Sequence, residues 1–269
     1  MNEITGTTRI CAILADPIHH VKTPQGINRL LQLRGVDSVM VPIHVTAGDL
    51  ASVVAGLRGM NNLDGFVVTV PHKTAMVALC DEVSPAAARI GAVNVVRRSP
   101  DGRLIGEILD GEGFIAGLRR EGIDPAGRSA YLAGAGGAAN AIAFALAKAG
   151  VARLTVANRT LAKATDLVDR LAAAYPLLPL AVGTGDPTGH DIVVNGTSLG
   201  LRPGDALPCD AQHLEANQIV AEIIMQPADT PLLLAARRQG CRIHYGAPML
   251  ACQIELMAAF MGIAEAAGA

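Results

Sequence analysis

Tryptophan is absent from this 269-residue chain, and aromatic residues make up only 3% of it. So few flat rings argue against base stacking on a nucleic acid. Charge is also scarce and nearly balanced: 22 Lys and Arg stand against 24 Asp and Glu, a formal net charge of −2. No basic stripe marks nucleic acid or an anionic membrane as a partner. No uninterrupted apolar run reaches the ~20 residues of a membrane-spanning helix. The N-terminus carries Glu3 and no basic-then-apolar leader, so no signal peptide is expected. The five cysteines, at 11, 80, 209, 241 and 252, form no Cys-x-x-Cys pair. They read as free thiols in a reducing cytoplasm, not as a disulfide frame or a zinc site. No metal is expected.

What the chain does have is apolar mass. Hydrophobic residues are 51% of it, ample for the core of one large or two modest domains. Its most informative stretch runs from Tyr131 to Thr160. Residues 129–133 form a short apolar strand. Gly134, Gly136 and Ala139 follow on a G-x-G-x-x-G/A frame. The first glycine permits a tight turn and the second lets a pyrophosphate approach the backbone. The small third residue lets helix and sheet pack closely. Residues 138–149 are apolar nearly all round, as in a buried crossover helix. Residues 153–157 are the next strand. Gly134, Ala135, Gly136, Gly137 and Ala138 are therefore candidate cofactor contacts, at a helix N-terminus that suits a phosphate.

NAD-binding folds usually end the second strand with Asp or Glu, which holds the ribose 2′-hydroxyl. Here Asn158 and Arg159 take that place, with Thr160 next and Lys163 one helical turn on. Two cations and no carboxylate suit a 2′-phosphate, so the expected cofactor is NADP(H).

Elsewhere strands alternate with helices. Residues 9–15, 38–45 and 65–70 read as strands, 24–33 and 49–58 as helices. Pro71 is placed at the first position of a helix running to about Cys80. Residues 92–98 and 103–108 form a hairpin across Pro100-Asp101-Gly102. A helix over 110–121 leads into the glycine-rich unit. Beyond it lie a helix over 161–174, a loop over 175–179, strands over 191–195, 218–224 and 241–245, and helices over 230–238 and 248–264. The expected fold is α/β: an N-terminal α/β substrate domain (1–109 with 246–269) and a doubly wound, Rossmann-type parallel-sheet domain (110–245). The C-terminal helix is expected to return to the first domain.

Hydride transfer to a carbonyl also needs a proton source. Lys73, at a strand-to-helix junction, and Asp110, just after a strand, are the candidates outside the glycine-rich unit.

These stretches together resemble the shikimate dehydrogenase family over nearly the whole chain. Ala15-Asp16-Pro17-Ile18-His19-His20-Val21-Lys22-Thr23-Pro24 is similar to its G-N-P-I-x-H-S-x-S-P. Gly65 to Lys73 is similar to G-x-N-V-T-x-P-x-K, Gly91 to Asn94 to G-A-V-N, and Leu109-Asp110-Gly111 to the end of G-x-N-T-D-G. Gly134 to Ala138 resembles G-A-G-G-A, Asn158 to Thr160 N-R-T, Asn195 to Ser198 N-A-T-S, and Gly246 to Gln253 G-x-x-M-L-x-x-Q. The resemblance implies roles. Lys73 and Asp110 would be the catalytic pair, Lys73 exchanging the proton. Asn94 and Gln253 would bond substrate hydroxyls, and Thr23 and Thr69 would line the same pocket, Thr23 near the carboxylate. Thr197 would touch the cofactor, and Gly246 and Met249 would flank its nicotinamide. The implied activity is NADP-dependent, reversible oxidation of a ring hydroxyl of shikimate or a related cyclic hydroxy acid, by a cytoplasmic monomer or homodimer.

Several family positions are less polar here. Val21 and Val67 replace Ser and Asn, Val95 replaces Thr, Ile108 and Leu109 replace Asn and Thr, and Ala221-Glu222 replaces Tyr-Asp. Lys163 stands where Arg is usual. An intact Lys–Asp pair in a thinner polar pocket implies a weakened or altered substrate preference, with quinate or an amino-substituted analogue as alternatives. Lys22, His19, His20 and His72 lie nearby in sequence and are assigned no role. An NADPH-binding sensor with a decayed pocket is the alternative of another class, against which both Lys73 and Asp110 stand.

Overall fold

The computed structural model describes residues 3–19 and 21–263. The chain forms two compact units: Met1–Leu109 with Gln253–Ala269, and Asp110–Cys252. Among the described residues no helix is long and apolar enough to cross a membrane.

The first unit holds β1 (Arg9–Ala15), α1 (Thr23–Arg34), β2 (Ser38–His44), α2 (Leu50–Arg58), β3 (Leu63–Val68), β4 (Glu82–Val83), α3 (Pro85–Ile90), β5 (Val95–Arg98) and β6 (Leu104–Glu107). Its six-stranded sheet runs β2-β1-β3-β5-β6-β4. β1 is parallel to β2 and β3, while β5 is antiparallel to β3 and β6. The last five residues of β1 are buried, as expected for a central strand covered on both faces. Pro24 opens α1, and Gly35 closes it at φ +65°, the left-handed cap that favours glycine. Gly65 is required by the sheet itself: a Cβ there would overlap the Val96 carbonyl on β5.

The helix expected from Pro71 to Cys80 does not form. The Val70–Pro71 peptide is cis, and the segment makes only a 3₁₀ turn over Ala75–Leu79. A helix would need the Lys73 carbonyl for Val77. That carbonyl instead accepts the N–H of Val93, at 2.9 Å. A tertiary bond has replaced the local one. His72 is buried, with Nε2 donating to the Val45 carbonyl at 2.8 Å. It anchors this segment to the end of β2 and is structural.

The second unit holds α4 (Asp110–Arg120), β7 (Ser129–Ala133), α5 (Gly137–Lys148), β8 (Arg153–Ala157), α6 (Leu161–Ala174), β9 (Leu180–Val182), β10 (Ile192–Asn195), β11 (Ile219–Glu222), α7 (Pro231–Arg238), β12 (Arg242–His244) and the start of α8 (Ala247–Met261). All six strands are parallel, in the order β12-β11-β10-β7-β8-β9. This is the doubly wound order of dinucleotide-binding folds, and its direction reverses between β7 and β10. Residue 264, the expected end of the last helix, lies outside the described residues. α8 crosses the boundary at Gln253, the first residue of the returning segment of the first unit.

One buried histidine makes this unit sensitive to acid. His244 has a fully buried side chain, and its Nδ1 donates to the Glu121 carboxylate at 2.8 Å. Burial pushes its pKa below the ordinary 6.5, outweighing the carboxylate. The unfolded imidazole therefore takes up a proton more readily than the folded one. This contribution to stability is present above about pH 6.5 and is lost as pH falls below it. Urea midpoints at pH 7.5 and 5.5 should drop less in His244→Phe than in the unsubstituted chain. An equal drop would show that His244 does not titrate on unfolding.

Candidate active site

Each unit carries one set of the residues singled out from the sequence. In the second unit the set gathers where the sheet changes direction. β7 ends at Ala133, and Gly134 follows at φ +116°. A Cβ at Gly134 would sit 2.9 Å from the Gly196 carbonyl oxygen, and one at Gly196 would sit 2.9 Å from Ala139 Cβ. The loops after β7 and β10 touch because these three residues are small. α5 then starts at Gly137, with no acidic residue in its first turn. A Cβ at Gly136 would meet nothing within 4 Å. That open space in front of unpaired helix N–H groups suits a phosphate.

Beside it lies a cavity of about 520 Å³. Gly134, Asn158, Arg159 and Thr197 all line it, so four of the expected cofactor residues are brought together. No acidic side chain is among its lining residues, and Arg159 is exposed at its rim. Asn158 Nδ2 donates to the Thr160 carbonyl at 2.9 Å, which shapes the turn into α6. Thr160 is the residue before α6, and Lys163 is exposed on its first turn. Ala135 is buried, and Ala138 lies half-buried on the first turn of α5. The remaining two cofactor candidates are held by packing. A Cβ at Gly246 would lie 2.5 Å from the Ile224 carbonyl oxygen, and Met249 is buried where α8 starts beside Gly117 of α4.

Part of this cavity was not foreseen. Gly183, Thr184 and Gly185 line it behind β9, a strand placed in no sequence expectation. The sequence offers only Leu180-Ala181-Val182 before Gly-Thr-Gly, too short a run for a strand period to show. Tyr131, on β7, also reaches the cavity, and its hydroxyl donates to the Thr184 carbonyl at 2.8 Å.

In the first unit, Thr23 is buried at the start of α1, and Thr69 follows β3 half-buried. Lys73 is half-buried in the turn behind Thr69. Asn94 is 1% exposed just before β5. Its backbone carbonyl accepts from Val68 N and its Oδ1 from Leu109 N, each at 2.8 Å. The bond between Lys73 O and Val93 N joins the Lys73 and Asn94 segments directly. Gln253, on α8, is 5% exposed. Asp110 is 4% exposed as the first residue of α4, in the second unit.

The apolar departures have packing partners. Val67, Val95 and Leu109 belong to one buried cluster with Ile13, Ile27 and Met257, and Val21 packs against it from its edge. Val67 and Val95 are directly opposite on β3 and β5. Cross-strand apolar pairs of this kind stabilise a sheet. Of the nearby histidines, His20 lies outside the described residues.

Residues 13–96 match the family model of the shikimate dehydrogenase substrate binding domain, and residues 119–199 match that of shikimate / quinate 5-dehydrogenase. The shikimate dehydrogenase (NADP(+)) of Rubrobacter xylanophilus is 39% identical, over 99% of this chain and 95% of that protein. The chain belongs to the shikimate dehydrogenase family. Among solved structures, shikimate 5-dehydrogenase from Thermus thermophilus in complex with NADP(H) and shikimate superposes with a TM-score of 0.86 at 31% identity, covering 94% of this chain and 93% of that one. A 5-ketofructose reductase of Gluconobacter has a TM-score of 0.84 at 33% identity, covering 94% and 92% of the two chains.

Proposed function

We propose that this protein is a shikimate dehydrogenase that interconverts 3-dehydroshikimate and shikimate with NADP(H). The observation that carries the reading is the end-to-end likeness to shikimate dehydrogenases (NADP(+)), with Lys73 and Asp110 both retained. The residues present fit the cofactor. The open backbone at Gly136 and the α5 N-terminus would take the pyrophosphate, and Arg159 with Lys163 would take the 2′-phosphate. NADPH, when bound, supplies the hydride. The other contacts fall to Ala135, Gly137, Ala138, Asn158, Thr160, Thr197, Gly246 and Met249.

Residues 1–109 with 246–269 act as the substrate domain and 110–245 as the NADP domain. In oxidation, Lys73 Nζ takes the proton of the reacting ring hydroxyl, and in reduction it returns it. Asp110 orients the lysine and the substrate. Asn94 and Gln253 bond ring hydroxyls, while Thr23 and Thr69 line the same pocket, Thr23 near the carboxylate. The packing of Val67, Val95 and Leu109 into the core supports ordinary shikimate turnover, and no observation favours quinate, an amino-substituted analogue or a sensor.

The purified protein should reduce NADP⁺ with shikimate faster than with quinate, and reduce 3-dehydroshikimate faster than 5-ketofructose. Turnover of another substrate in preference to shikimate would replace the substrate assignment. NADPH binding with no turnover of any of these compounds would favour the sensor.

The cofactor assignment has its own test. Arg159→Ala should weaken NADPH by about ten- to a hundredfold, the loss of a hydrogen bond to a charged group. NADH affinity should be almost unchanged. Equal loss for both nucleotides would place Arg159 away from the 2′-phosphate.

A further inference from the structure

One fully buried carboxylate of the second unit lies among donors beside the cavity. Glu222 ends β11 and lies directly opposite Asn195, the last residue of β10. Both are 0% exposed. Glu222 Oε1 accepts the backbone N–H groups of Ile223 and Ile224, at 2.8 and 3.1 Å. Its Oε2 accepts from Asn195 Nδ2 and Thr230 Oγ1, each at 3.0 Å. All four partners are donors, the set that an ionised carboxylate can satisfy completely.

The Asn195 amide is equally committed. Its Nδ2 donates to Glu222 and to the Leu199 carbonyl, each at 3.0 Å. Its Oδ1 accepts the Thr197 N–H at 3.0 Å and the Thr197 hydroxyl at 2.7 Å. Thr197 Oγ1 in turn accepts the Leu199 N–H at 3.0 Å. These bonds wind residues 195–199 into one closed turn, and Thr197, Ser198 and Leu199 line the dinucleotide cavity.

An amide has two ends of nearly equal shape, and its neighbours decide which way round it sits. A carboxylate can only accept. Glu222, with the Leu199 carbonyl, therefore holds the Asn195 NH₂ on its own side and leaves the amide oxygen facing Thr197. A glutamine in its place can turn an N–H towards Asn195. That donor meets the donating Asn195 NH₂, and a reversed amide would set its oxygen against the Leu199 carbonyl and its N–H groups against the Thr197 N–H, so the Asn195 amide loses a partner either way. The loop that the amide organises loses its fixed shape.

We propose that Glu222 is a positioning residue for the dinucleotide, setting the cavity wall at Thr197–Leu199 through the orientation of the Asn195 amide. The proposal rests on the NADP(H) reading above. The bond from Thr197 to Asn195 also uses its hydroxyl proton, so Thr197 meets a ligand as an acceptor or through its methyl group.

The test is NADPH affinity by fluorescence titration of the full chain, with a urea midpoint for every variant. Glu222→Gln should weaken NADPH about tenfold, the worth of one hydrogen bond to a charged group. Thr230→Val is the matched control. It removes a donor from the same Oε2 and the cap of α7, and leaves Asn195 alone. It should lower the urea midpoint while keeping NADPH affinity within about twofold. Unchanged NADPH affinity in folded Glu222→Gln overturns the proposal, as does an equal loss of affinity in the two variants. Should Glu222→Gln not fold, Glu222→Asp keeps an acceptor with shorter reach. It should bind NADPH several-fold more weakly, and affinity at the unsubstituted level overturns the proposal. Absence of NADPH binding by the unsubstituted chain would be seen before any variant is made. It would overturn the cofactor reading, and this proposal with it.

Discussion

Alanine at Lys73 is expected to lower kcat for shikimate oxidation by about 10²- to 10⁴-fold, the range for losing a positioned acid–base group. NADPH affinity should stay as it was. The separation follows from where the residue sits. Lys73 belongs to the first unit, whereas Gly134, Arg159 and Thr197 belong to the second. The fold should survive the change, because the segment is held by groups that alanine keeps. The Lys73 carbonyl still accepts from Val93, and buried His72 still donates to Val45. Steady-state kinetics with a parallel NADPH titration would decide. A kcat within a few-fold of the unsubstituted enzyme would remove Lys73 from proton transfer.

Gly111→Ala should be destabilising and should also impair turnover. Gly111 follows Asp110 on the first turn of α4, packed against α5. A Cβ there would overlap the Ala141 carbonyl oxygen and lie 2.7 Å from Ala145 Cβ. A backbone carbonyl in the middle of a helix cannot turn aside as a flexible side chain can. The two helices must part, at the roughly 1–3 kcal/mol of an overpacked core. Asp110 moves with the first turn of α4, so shikimate turnover should fall more than NADPH affinity does. A urea midpoint and kcat equal to those of the unsubstituted chain would show that α4 can shift without consequence.

Much of the dinucleotide unit was legible because its signals are local. The strands at 129–133 and 153–157 and the helix at 161–174 occupy the expected residues. Each is set by its own apolar pattern and bounded by glycine or polar turns. Local pattern fails where tertiary bonds decide. The Pro71 helix gave way to a 3₁₀ turn because Val93 takes the carbonyl that the helix needed. β4 has two residues and β9 three, too few for any period to show. The cavity beside the α5 N-terminus was legible in Gly134, Asn158, Arg159 and Thr197, which lie on one βαβ unit and just after the strand beside it. Its far wall was not, because Thr184 is brought in by β9. Glu222 stood out in sequence only as a lengthened carboxylate. Its bond to Asn195 exists because two strands 27 residues apart lie side by side in register.

The most direct measurement is a product balance. Purified protein is incubated with 3-dehydroshikimate and NADPH, and the shikimate formed is quantified chromatographically against the NADPH consumed, followed by its absorbance. Equimolar shikimate and NADP⁺, formed much faster than with NADH, is the predicted result. NADPH consumption without shikimate, or no consumption by a chain that binds NADPH, would contradict it.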